Sequence, residues 1–259
     1  MGFKKTSEEL KSYYKISTRK FPNAQMLGVM FNTKTEIIRD LLPTPLEPTP
    51  AAGGLIFIAE YPETNLGEGY REAGLFIKCQ YRGEEGTYCL SMPITSEPRM
   101  HNGRNIFGYP KKMATIHLEK NGSQAFGWVE RNGTKIIEVK ANFTCKLPQL
   151  PPTGPNFLFK GMPKVDMTPG FDGPVFLVRQ ETKIELKSME LGMAQVKLFH
   201  SPTDPWADIE IANPEMLMAF YLTSNNTMLP GKVLTEVDGD AYLPHFFKMT
   251  DFYVPENKL

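Results

Sequence analysis

Between residues 115 and 145 the chain reads TIHLEKNGSQAFGWVERNGTKIIEVKANFTC, and its two Asn-Gly pairs, Asn121-Gly122 and Asn132-Gly133, restrict the fold more than any other feature. Asn-Gly takes up the positive φ values of a type I′ hairpin turn, whose twist matches that of the strands it joins. With β-branched and aromatic residues on both sides, the stretch predicts three antiparallel strands in succession. The same grammar recurs elsewhere. AGLFIKCQYRGEEGTYCLSMPI reads as a hairpin around RGEEG, GGLIFIAEY as a strand leading to it, and PVFLVRQETKIELKSMELGMAQVKLFH as two further strands.

Two helices are expected. One is TKTEIIRDLLP, with Thr33 or Thr35 near its start and Pro43 beyond its end; the other is NPEMLMAFYLTS, capped by Asn213 with Pro214 in its first turn. The fold class is therefore mainly β with a few helices (α+β). Residues 146–174, rich in Pro and Gly, read as a crossover between two β-rich halves. The second half alone has too few strands to close a core, so residues 1–259 are expected to form one domain, with about the first 20 residues peripheral.

Lys plus Arg equals Asp plus Glu at 29 each, which points away from nucleic acid or an anionic membrane and toward a small-molecule ligand. The polar start MGFKKTSEELKSYYKIS has no apolar stretch of signal-peptide length, and runs such as MLMAFYL are too short to span a bilayer, so a cytoplasmic protein is expected. Cys79, Cys89 and Cys145 show no C-x-x-C spacing and read as buried thiols rather than as disulfides or zinc ligands. His101 in MHNGR is a candidate proton shuttle; His117, His200 and His245 make no ligand spacing, and no metal is implied.

Against this background FGYPKKMA, residues 107–114, stands out, because Phe107, Tyr109 and Met113 surround Lys111 and Lys112. Desolvation and a like charge nearby both favour a neutral amine, the form a nucleophilic lysine needs. Pro110 fixes a bend at the start of the strand KMATIHL, and strand alternation then points the two lysines to opposite faces. Parity alone does not say which one faces the interior.

The stretch SEPRMHNGRNIFGYPKKMA, residues 96–114, resembles the signature of the acetoacetate decarboxylase family, in which Gly-Arg precedes an aromatic-Pro-Lys-Lys run. LLPTPLE, YREAG, GEEGTYCLSMP, PNFLFK, GFDGP and LGMAQVKLF follow the family's landmarks in order. The resemblance implies a double β-barrel with a central cavity, assembled as a homo-oligomer. It makes Lys111 the Schiff-base nucleophile, Lys112 the neighbour that activates it, and Glu72 the acidic partner; lysine activation in that enzyme is a standard example of the effect. Arg104 would hold a substrate carboxylate or brace the loop. Tyr253, in the C-terminal segment, would enter the site or pack on the barrel.

This chain also departs from the family pattern. By that resemblance Ile56, Ala24 and Asn105 stand where the family carries polar site residues, and Glu60, which shares parity with Ile56, is a candidate substitute carboxylate at the substrate. The expected activity is that of a lyase: decarboxylation of a β-keto acid to a ketone and carbon dioxide through a lysine iminium, with no metal or organic cofactor. The alternatives are an aldolase-dehydratase joining pyruvate to an aldehyde, and a barrel that only binds an apolar ligand.

Overall fold

A computed structural model describes residues 2–15, 18–149 and 153–251. Its strands are β1 (Arg19–Asn32), β2 (Glu47–Pro48), β3 (Gly53–Thr64), β4 (Gly67–Tyr81), β5 (Glu84–Ile94), β6 (Lys111–Met113), β7 (Thr115–Asn121), β8 (Gln124–Arg131), β9 (Thr134–Leu147), β10 (Asn156–Lys160), β11 (Val175–Gln180), β12 (Thr182–Leu198), β13 (Leu217–Met228) and β14 (Lys232–Val237). The helices are α1 (Ser7–Lys15), α2 (Thr35–Leu41), α3 (Glu97–Asn102) and α4 (Gly239–Phe246). The mainly β expectation holds.

Hydrogen bonds join the strands into one sheet in the order β14-β11-β10-β5-β4-β3-β1-β13-β12-β9-β8-β7, with β2 beside β4 and β6 beside β5. Both Asn-Gly pairs close hairpins, but differently. Asn132 and Gly133 have φ of 49° and 75° and form the expected two-residue turn. At the first pair Asn121 still pairs with Gln124, so the turn is Gly122-Ser123 and the positive φ of 57° falls on Gly122.

Alternation divides the sheet's side chains between two interiors. On β3, Ile56 and Ile58 enter the larger core with Leu27, Val29, Leu75 and Ile77. The intervening Phe57, Ala59 and Tyr61 enter a smaller core with Phe21, Phe76 and Met92. Helix α1 buries none of its residues. No helix among the described residues is long and apolar enough to cross a membrane.

Three expectations need correction. The stretch 213–224 is not a helix: Asn213 has φ of 50° and its carbonyl accepts from Met216 N in a turn, after which β13 runs between β1 and β12. Satisfying both edges of a central strand outweighs a local capping signal. The 146–174 crossover contains a strand, β10, parallel to β5 and antiparallel to β11. Cys79 and Cys89 are buried, but Cys145 is exposed.

Candidate active site

Helix α3 runs on into a wide π-turn, Gly103–Phe107, which ends at Gly108 with φ of 89°. Tyr109 and Pro110 follow, and β6 then lies parallel to β5, with Met92 opposite Lys111 and Pro93 opposite Lys112. Pro110 cannot donate, but its carbonyl accepts from Met92 N at 3.1 Å, which anchors the strand at its first residue. The lysines consequently diverge, as alternation requires.

Lys111 is 6% exposed and Glu72 5%, and the Lys111 Nζ donates to Glu72 Oε2. The ammonium also lies 5.7 Å from the centre of the Tyr109 ring. Both side chains line a cavity of about 260 Å³. Its β3–β4 wall is a ladder of facing pairs: Tyr61–Tyr70, Ala59–Glu72, Phe57–Gly74 and Leu55–Phe76. Glu72 is the one carboxylate among the described lining residues.

Burial first, and then the Glu72 charge, push the Tyr61 and Tyr70 phenols well above their ordinary range. Burial likewise pushes Tyr109 up. All three remain neutral donors. Tyr109 is fixed by donating to Gln180 Oε1 at 2.6 Å and accepting from Asn156 Nδ2 at 2.9 Å.

The backbone at Gly103 passes very close to the Lys111 side chain. A Cβ there would lie 2.4 Å from Lys111 Cε and 2.5 Å from Cδ. Gly103→Ala is therefore expected to force the lysine away from Glu72 and to slow adduct formation with a keto acid by about 10²-fold, the scale of an ångström's misplacement. Stopped-flow trapping of the variant beside the wild type measures it.

Lys112 does not share this cavity. On the opposite face its Nζ donates to the Thr203 carbonyl at 2.9 Å and lies 3.5 Å from Asp204 Oδ1, while Arg131 Nε donates to Asp204 Oδ2 at 2.8 Å. Its charge is engaged with the buried Arg131 and Asp204 and with the exposed Asp251. Glu60 is also displaced: it faces away from Lys111 and forms a 3.4 Å ion pair with Arg71 in a shallow surface dent. The parity argument was anchored on the wrong face, because Ile56 belongs to the larger core and the cavity is lined by its neighbours Leu55 and Phe57. Ala24 packs in the smaller core and Asn105 is exposed.

Arg104 lies outside the cavity lining and braces the loop, with Nη1 donating to the Lys111 carbonyl at 3.5 Å. His101 sits at the surface, 3.6 Å from Glu97. Tyr253 lies outside the described residues. The residue that sequence reasoning missed is Arg99, in the same signature stretch as Arg104. It lines the cavity, donates through Nη2 to the Leu66 carbonyl at 2.5 Å, and holds a buried Nε with no partner among the described residues. Among the described residues no group of three or more His, Cys, Asp or Glu is placed to hold a metal.

A second cavity, about 690 Å³, lies on the Lys112 side between α2, the turn Trp206–Ile209 and the C-terminal turn Phe247–Met249. Lys248 lines it, donating to the Tyr88 hydroxyl and, at 3.2 Å, to the Cys89 carbonyl, and burial pushes its pKa down to about 7. Between pH 7 and the ordinary 10.5 the unfolded chain binds a proton that the folded chain does not, so this group makes stability fall as pH drops through that window and level off below it. Lys248→Met is expected to raise the unfolding free energy more at pH 7 than at pH 10, by at most about 1.4 kcal/mol for each pH unit between them. Paired melts at the two pH values check it.

Comparison with known proteins agrees with the geometry. The family model described as acetoacetate decarboxylase matches residues 3–237. Acetoacetate decarboxylase 2 of Mesorhizobium japonicum is 26% identical over 236 residues, covering 89% of this chain and 87% of its own. An acetoacetate decarboxylase of Burkholderia cenocepacia is 27% identical over 220 residues, covering 83% and 87%. Among solved structures, acetoacetate decarboxylase from Legionella pneumophila superposes with a TM-score of 0.76 at 21% identity, covering 84% and 87% of the two chains. The enduracididine biosynthesis enzyme MppR, solved in complex with pyruvate, gives 0.70 at 17% identity, covering 85% and 90%.

Proposed function

The chain belongs to the acetoacetate decarboxylase family, an enzyme family of carboxy-lyases, and on that premise we propose that Lys111 forms a Schiff base with a keto acid and that the reaction is decarboxylation. The observation that carries this reading is the contact between Lys111 and Glu72, two buried groups that meet inside one cavity. An amine held there meets its substrate with little competing water.

Glu72, within hydrogen-bond reach, takes the Lys111 proton. The free amine adds to the ketone carbon, and the carbinolamine loses water, to which Glu72 returns the proton, leaving an iminium. The electron pair of the bond to the carboxylate flows into that iminium, releasing carbon dioxide and forming an enamine. Protonation of the enamine carbon and hydrolysis then free the ketone and the amine. The iminium is the electron sink, so the chemistry calls for no added metal or organic cofactor. Arg99 offers its unpartnered Nε–H to the substrate carboxylate, and the Tyr61 and Tyr70 hydroxyls serve as neutral donors near the reacting oxygen.

The test is borohydride trapping read by intact mass, with acetoacetate and pyruvate offered separately and carbon dioxide release followed in parallel. An acetone-derived adduct mapping to Lys111, with gas release, supports the proposal. The absence of any adduct across a wide pH range sinks it. A second reading, condensation of pyruvate with an aldehyde, is favoured by the single carboxylate in the cavity and by the fold's likeness to MppR. A pyruvate adduct on Lys111 without gas release from acetoacetate selects that reading.

A further inference from the structure

The cavity is strongly polarised about its amine. Toward the β3–β4 turn the ladder passes from Ala59–Glu72 to Tyr61–Tyr70 and then to Leu66, whose carbonyl holds Arg99. Arg19 lies at this end too, since β1 starts beside that turn, with Lys20 N donating to Asn65 Oδ1 at 2.8 Å. Both arginines of the lining therefore sit on one side of Lys111.

The other side holds no charge. Phe57 follows, then the Leu55–Phe76 pair, with Leu222 on the Ala59 row and Phe220 on the Phe57 row completing the wall from β13. Over Gly74 the Phe57 and Phe76 rings close together, their centres 5.7 Å apart, so this half presents a continuous aromatic surface. Two pair-steps separate the Glu72 and Phe76 rows, about 13 Å along the sheet. Beyond Phe76, Thr87 donates to Asn156 at 2.8 Å and Asn156 donates to Tyr109, so these polar groups are satisfied among themselves.

A 3-oxo acid bound with its carboxylate toward Arg99 and its carbonyl carbon at Lys111 directs its remaining substituent into this uncharged half. There an apolar substituent meets Leu55, Phe57, Phe76 and Leu222. We propose that the preferred substrate is a 3-oxo acid bearing an extended alkyl or cyclic apolar substituent on the ketone side away from the carboxylate. The proposal rests on the Schiff-base reading above for its orientation, and the cleavage itself is unchanged: the same carbon–carbon bond breaks and the same ketone-forming hydrolysis follows.

Carbon dioxide release by the unaltered enzyme from 3-oxobutanoate, 3-oxohexanoate and 3-oxooctanoate tests it. The expected kcat/KM rises about fourfold for each added methylene until the apolar half is full, the transfer value for a buried CH₂. A flat or falling series, in an enzyme that still forms the acetoacetate adduct on Lys111, overturns the proposal and leaves the Schiff-base reading intact. Calorimetric binding of 2-oxo acids, from pyruvate to 2-oxooctanoate, to Lys111→Gln provides a readout that needs no turnover. The same fourfold tightening supports the apolar half as the substituent site, and uniform weak binding along the series overturns the proposal.

Discussion

Lys111→Ala is expected to lose the borohydride adduct entirely and to lower kcat/KM by about 10⁴-fold or more, the scale seen when an enzyme's nucleophile is removed. It should also unfold more easily. Glu72 is 5% exposed, and deleting its partner leaves a buried carboxylate unpaired, which costs about 3–5 kcal/mol. The two effects separate in the double variant Lys111→Met/Glu72→Leu, which removes both charges and keeps the volume. Its melting temperature should return to near that of the wild type while activity stays absent. A single variant that melts like the wild type, or a double variant as unstable as the single, would show that the pair is not isolated from water as described.

A comparable loss of stability, without the loss of chemistry, is expected at Asp204. This carboxylate, 2% exposed, accepts from Arg131 Nε at 2.8 Å and from the Thr203 hydroxyl at 2.9 Å and lies 3.5 Å from the Lys112 ammonium. Asp204→Ala leaves Lys112 and Arg131, both buried, to share the exposed Asp251 as their remaining carboxylate partner. A cost of about 3–5 kcal/mol corresponds to a melting temperature lower by about 10 °C in a chain of this length. Because Lys112 and Asp204 line the cavity on the opposite face from Lys111, the folded variant should keep its rate of adduct formation at low temperature. A fall in that rate as large as that of Lys111→Ala would mean that Lys112 takes part in the chemistry directly. By contrast Glu60→Gln removes only a half-exposed 3.4 Å ion pair and should change stability by less than about 0.5 kcal/mol and leave adduct formation unchanged.

Local chemistry made the hairpins legible. Arg82-Gly83 and Asn132-Gly133 carry positive φ where the sequence called for it, and the divergence of Lys111 and Lys112 followed from alternation after Pro110. Absolute facing was not legible. Alternation fixes which residues share a side but not which side meets the cavity, and taking Ile56 as inward carried Glu60 with it. The stretch 213–224 misled for a related reason: an Asn-Pro start with apolar followers suits a helix, and only the strands on both flanks make it β13. Arg99 and Asp204 show no local sign at all. Arg99 matters through a carbonyl 33 residues away, and Asp204 through side chains 73 and 92 residues away.

The placement of β1 between β3 and β13 also bears on how the chain is made. One edge of β1 pairs with β3 soon after both emerge from the ribosome, but its other edge pairs Met26 with Leu222 and Gly28 with Phe220. At about 5–20 residues per second, that edge stays open for roughly ten seconds or more while the intervening chain is synthesised. Such delayed long-range pairing slows folding and exposes a strand edge to other chains. Expression yield should therefore depend more on temperature and chaperone supply than the stability of the finished protein would suggest.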